Sequence, residues 1–189
     1  MITENQIIRI SISKETFALA EKNATIASKG GRSNVRRVGE RNTKLMTDNM
    51  VGQLGMIAMC RYMHGHIADY LVNQFYANLY RNSGDGGHDF TGMNLDVKAA
   101  RYYNNRERTV LEYRLAVHKN EWHEDWVYAL AVVDLDARTV YLPGWASGED
   151  FPKQAVSHDA VRFRDSYIIE ARELNRFPPF NWNWFPGGK

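Results

Sequence analysis

The sequence predicts a mixed α/β domain, helices in its first half and a sheet after them, and three patterns carry that expectation. From about Asp48 to Tyr76 the apolar residues recur at helical spacing, with Met50, Leu54, Ile57, Ala58 and Tyr62 along one side. From Met93 to Ala100 the period drops to two, as Met93, Leu95, Val97 and Ala99 alternate with Asn94, Asp96, Lys98 and Ala100. Val127 to Asp134 and Val140 to Leu142 are apolar runs separated only by Leu135 to Thr139, a hairpin-length connection.

The remaining elements follow in chain order. Ile8, Ile10 and Ile12 alternate with polar residues and predict a short first strand. Ser13 is placed to cap a helix from about Lys14 to Ala27, with Glu15 in the first turn, where a negative charge meets the positive end of the helix dipole. Gly30 and Gly31 open a loop, and Asn82 to Gly87 is a glycine-rich turn. Trp122 and Trp126, four apart, are expected to pack on one helix face. Tyr167 to Glu170 predicts a last short strand. The tail from Phe177 to Lys189 holds Pro178, Pro179 and Pro186 and cannot form a regular helix. Trp182 and Trp184 within it are assigned to covering a sheet edge or to meeting a second subunit, which leaves a homodimer open.

The 189 residues fit one domain, expected to span 1–189 with a core at about 45–175, an N-terminal strand, helix and basic loop at 1–44, and a proline- and tryptophan-containing tail at 176–189. With 44% hydrophobic and 24% charged residues the chain has a globular rather than a disordered balance. No apolar run approaches the roughly 20 residues that span a bilayer, and Met1 to Lys14 lacks the apolar core of a secretion signal, so the expected location is the cytoplasm. Cys60 stands alone, which excludes an internal disulfide and any multi-thiolate metal centre within one chain.

A net charge of +2 says little about partners, but its distribution says more. Between Lys29 and Lys44 lie Arg32, Arg36, Arg37 and Arg41, with Glu40 the only acid. Phosphate binding needs such a cluster, although a solvated surface also tolerates one. Arg36 and Arg37 are therefore the candidates for DNA phosphate contacts, joined by Arg101, which directly follows the Met93–Ala100 strand. Arg106 and Arg108 are left unassigned.

Asp96 and Lys98 are two apart on a predicted strand, so both project from one face while Leu95 and Val97 point into the core. Thr91-Gly92 suits a tight turn, and a hairpin there would bring Asp89 alongside Asp96. Two carboxylates and an ammonium gathered on a rigid sheet suit Mg²⁺ or Mn²⁺, whose hard oxygen ligands are completed by waters and a substrate phosphate. The lysine then orients the attacking water or stabilises developing charge. The Asp-x-Lys triplet alone also describes an ordinary solvent-facing strand. His88, next to Asp89, is a lesser candidate for contacting substrate or water. His64-Gly65-His66 carries no recognisable metal spacing, and His123-Glu124 lacks the second histidine of a zinc protease.

The order of these pieces resembles the PD-(D/E)XK nuclease superfamily, in particular a branch often carried by bacteriophages. In that branch an "N…G-x-x-G-E" helix precedes an "I-D-V-K" strand; here Asn49, Gly52 and Gly55 match the helix, and Asp89-Phe90 and Leu95-Asp96-Val97-Lys98 match the strand region. Tyr141-Leu142-Pro143-Gly144-Trp145 resembles the Gly-Trp step of the family's later hairpin. The resemblance runs from about Ile8 to Asn175, with Asp-Val-Lys its strongest piece. It implies a restriction-endonuclease-like αβββαβ core, a central mixed sheet flanked by helices with an N-terminal helical segment, and divalent-metal cleavage of DNA phosphodiesters. It implies Asp89, Asp96 and Val97 at the metal and Lys98 as the catalytic lysine. One departure stands out: Met56 occupies the place of the family's glutamate, and a thioether cannot replace a carboxylate on Mg²⁺. Gln53, one helical turn earlier, is the residue expected to present an oxygen there. Met56 thus leaves two readings, a DNA endonuclease or a weakened or inactive DNA-binding relative.

Overall fold

The computed structural model describes residues 1–29, 41–68, 70–71, 90, 93–103, 109–151 and 165–178. Its elements are β1 (Ile8–Ser11), α1 (Lys14–Lys29), α2 (Arg41–His64), β2 (Leu95–Arg101), β3 (Arg114–His118), β4 (Val127–Asp134), β5 (Thr139–Ser147) and β6 (Ser166–Glu170). Ser13 starts α1 as expected: its hydroxyl accepts the Thr16 N–H at 3.2 Å, satisfying one of the donors that a helix start leaves open. Gly65 stops α2. It takes φ +72°, a left-handed conformation that glycine adopts without a Cβ clash, and its N–H reaches the Arg61 carbonyl at 2.8 Å. The single helix expected to Tyr76 therefore begins earlier, at Arg41, and ends at His64.

Four strands form the central sheet in the order β1-β5-β4-β2. β4 and β5 are the expected hairpin, closed by a turn in which the Asp134 carboxylate accepts the Ala137 N–H at 2.9 Å. β1 pairs antiparallel with β5, and β2 pairs parallel with β4, so the sheet is mixed. β3 and β6 form a separate antiparallel pair. β3 was not anticipated, although Leu115 and Val117 alternate within it and are fully buried.

The two faces of the central sheet have different covers. Leu95, Val97, Val127, Ala129, Ala131 and Val133 share a core with α2 residues such as Leu54 and Ile57. Tyr128, Leu130 and Val132 share the other core with Leu115 and Val117 of β3. β4 lies between them and is buried at every position, which is why it reads as a continuous apolar run. Among the described residues, helices cover one face of this sheet and the β3–β6 pair packs on the other.

Helix α2 lies very close to the sheet. A Cβ built on Gly55 would stand 3.0 Å from the Ala99 Cβ and 3.2 Å from the Ala131 Cβ, so the glycine and the small strand residues set the separation of the layers. Gly144 has a similar role on β5. A side chain there would meet the Asn175 carbonyl oxygen at 2.6 Å, because the C-terminal segment crosses β5 and pairs with Trp145 through both main-chain groups. Of the glycines in the sequence pattern, Gly55 and Gly144 therefore have packing reasons, whereas a Cβ on Gly52 would meet nothing within 4 Å. Trp122 and Trp126 both join the second core, Trp122 against Tyr167 and Trp126 against His123 and Tyr128, but from the connection between β3 and β4 and not from a helix.

Candidate active site

The alternation of β2 places Asp96 and Lys98 on the β3–β6 side of the sheet, opposite α2. Asp96 is the register partner of Tyr128, and Lys98 that of Leu130. Asp96 is buried, an uncommon state for a carboxylate unless it is paired. Its partner is Lys98, whose Nζ lies 2.8 Å from Asp96 Oδ2.

A residue that the sequence reading did not single out completes the group. Glu121, in the turn after β3, accepts a Lys98 N–H at 2.7 Å. Burial alone would push the Lys98 pKa down, but Asp96, and then Glu121, outweigh it and hold the ammonium above the ordinary lysine value. Lys98 is therefore cationic at neutral pH. Close by, Asn94 Nδ2 donates to Asp125 Oδ2 at 3.2 Å, tying the start of β2 to the same connection.

Tyr128 builds the turn that carries Glu121. Its hydroxyl accepts the His123 N–H at 2.6 Å and donates to the Glu121 carbonyl at 3.1 Å. Burial is the main reason its pKa is pushed up to about 12, so it keeps its donor proton. Trp122 adds a further tie through its indole N–H to the Gly148 carbonyl at 3.1 Å. Nothing local in the sequence marks Glu121, because its contact with Lys98 crosses a whole strand and turn. A lone tyrosine in the apolar β4 run was the available clue, since a buried hydroxyl needs a partner.

Other expected site residues lie elsewhere. The Gln53 amide oxygen accepts the hydroxyl of Tyr70, which in turn accepts from Asn23 at 2.8 Å, so Gln53 belongs to a polar link between α1 and α2. That link lies on the helix side of the sheet, and the structure does not bring Gln53 to Asp96 and Lys98. Met56 is half-buried against the helix–sheet core. Arg101 has the alternation of Val97 and Ala99, away from Lys98, and its guanidinium lies 5.3 Å from the Tyr103 ring centroid. Asp89, His88, Arg36, Arg37, Arg106, Arg108, Trp182 and Trp184 lie outside the described residues.

The donor set can be compared with the needs of a divalent metal. Among the described residues no three His, Cys, Asp or Glu side chains gather around a common point. Mg²⁺, however, takes only one or two carboxylates when waters and phosphates fill the rest of its shell. Asp96 is of the right kind, a hard oxygen donor on a rigid strand. The family resemblance adds the Val97 main-chain oxygen as a ligand. The bonds from Val127 N–H to Asn94 O and from Tyr102 N–H to Val133 O show that the even-numbered residues of β2 face β4, so the Val97 carbonyl points to the other side of the strand.

No protein-family model, curated protein or solved structure matches this chain. Among the described residues no helix is long and apolar enough to cross a membrane.

Proposed function

We propose that this protein is a divalent-metal-dependent DNA endonuclease of the PD-(D/E)XK type, with Asp96 and Lys98 at its active site. The observation that carries the reading is the Asp96–Lys98 pair itself: a buried carboxylate and a partly exposed ammonium, 2.8 Å apart on one face of β2 in the four-stranded sheet. Asp96, the Val97 carbonyl and Asp89 would hold Mg²⁺ or Mn²⁺. When bound, the metal would acidify a water and offset charge on the scissile phosphate. Lys98 contributes a permanent cation beside that position, able to orient the attacking water or to stabilise charge on a phosphate oxygen. Arg36, Arg37 and Arg101 would bind phosphates along the substrate backbone.

A second reading has its own support. Met56 stands where a carboxylate is expected, and Gln53 is bonded to Tyr70 and not directed to the pair. This favours a protein of the same fold that binds DNA with weak turnover or none. Supercoiled and branched DNA incubated with the protein, with and without Mg²⁺ or Mn²⁺, separates the two. Metal-dependent nicking supports the enzyme; salt-sensitive binding without cleavage supports the binding protein.

A further inference from the structure

We infer that Glu121 is a positioning residue for Lys98, holding the ammonium between two carboxylates so that its remaining N–H points in one direction. The inference rests on the active-site reading above. A lysine ammonium has three N–H donors on a rotating tetrahedral head. With Asp96 alone as partner, at 2.8 Å, rotation about that one bond would leave the other two donors undirected. The second bond, to Glu121 at 2.7 Å, removes that rotation. The third N–H is then aimed without any reorganisation at the moment of reaction, the condition under which a fixed dipole or charge acts most strongly on a transition state.

The turn around Glu121 is built to hold its place. Its N–H bonds the His118 carbonyl at 2.8 Å, and its carbonyl takes the Tyr128 hydroxyl. Gly148 lets the neighbouring backbone pass so closely that any side chain at that glycine would collide with the His123 carbonyl. Lys119 fastens the start of the turn to the residue preceding β6, by its N–H to the Asp165 carbonyl at 2.9 Å and its Nζ to the carboxylate at 3.0 Å. The Glu121 side chain, in contrast, is 53% exposed. An ion pair so open to water adds little to stability. Stability therefore does not account for a turn fastened this firmly behind an exposed carboxylate.

The test measures DNA nicking with Mg²⁺, melting temperature and the side-chain ¹⁵N resonance of Lys98 in the full chain and in Glu121→Ala, Glu121→Gln and Tyr128→Phe. Glu121→Ala is expected to lower kcat by roughly 10- to 100-fold, the scale of a small misplacement, with KM and melting temperature little changed. Glu121→Gln, which keeps an acceptor oxygen, recovers part of the loss. Tyr128→Phe, which loosens the turn without touching the ion pairs, shows a smaller fall in kcat. The ordered Lys98 ammonium signal should broaden in Glu121→Ala and return in Glu121→Gln. An unchanged or raised kcat in Glu121→Ala overturns the inference, as does a rate loss that only tracks lost stability. If the parent chain cleaves no DNA, the functional reading fails, and the Lys98 resonance alone decides: unaltered in Glu121→Ala it refutes the positioning role, broadened it upholds it.

Discussion

Asp96 on β2 and Tyr128 on β4 are register partners across a parallel strand pair, so the candidate carboxylate and the phenol anchoring the Glu121 turn share one face of the sheet. Asp96→Asn should test that arrangement with little change in shape. It removes the charge facing Lys98 and the hard anionic donor, and is expected to cut cleavage by more than about 100-fold. Lys98→Ala should have a similar effect on rate and a larger one on stability, because it leaves a buried carboxylate without its cation, at a cost of about 1–3 kcal/mol. Nicking rates and urea unfolding of both variants check this.

The contrast between Gly52 and Gly55 provides a test of the helix–sheet packing. A Cβ at Gly52 would meet nothing within 4 Å, whereas one at Gly55 presses on Ala99 and Ala131. Gly52→Ala is expected to stabilise by up to about 1 kcal/mol through helix propensity. Gly55→Ala should destabilise by about 1–3 kcal/mol through overpacking. Denaturant midpoints of the two variants should move in opposite directions.

Met56 lies on the helix side of the sheet, against a core that includes Leu54 and Ile57. Met56→Glu would restore the residue expected by family resemblance, but on the face opposite Asp96 and in half-buried surroundings. It is expected to destabilise by about 1–3 kcal/mol without tightening Mg²⁺ binding. A metal titration of activity alongside thermal melts checks both halves of this outcome.

Burial pushes both Tyr70 and Tyr128 up to about 12, from an ordinary value near 10. Each phenol holds its proton more tightly in the folded chain than in the unfolded one. Their contribution to stability is therefore complete below pH 10 and is lost as the pH rises from 10 through 12. Spectrophotometric titration should find these two phenols ionising near pH 12, with the unfolding midpoint falling as the pH rises from 10 through 12.

Much of this architecture was legible because local pattern and tertiary burial agree. The alternation in Leu95 to Ala100 gave β2 and the shared face of Asp96 and Lys98, and Ser13 marked the start of α1. Where local pattern was silent, the reading failed. Periodicity continues past His64, so the end of α2 depended on the positive φ of Gly65. The spacing of Trp122 and Trp126 suggested a helix, but these rings pack from turns held by Tyr128 and Gly148. Met56 was linked to the site by the family resemblance, and Gln53 by its place one helical turn earlier. Which side of the sheet that helix covers is a tertiary fact that helical spacing does not contain. Glu121 was missed for the same reason, as only the meeting of β2 with the β3–β4 connection brings it to Lys98.

The most direct test of the central claim is nicking of supercoiled DNA by the parent protein and by Asp96→Asn, prepared identically and assayed with Mg²⁺ and with a chelator. Open-circular product is expected from the parent with metal and none with chelator, and Asp96→Asn should react at least about 100-fold more slowly. Equal nicking by both proteins, or none by the parent under any metal, would contradict the claim.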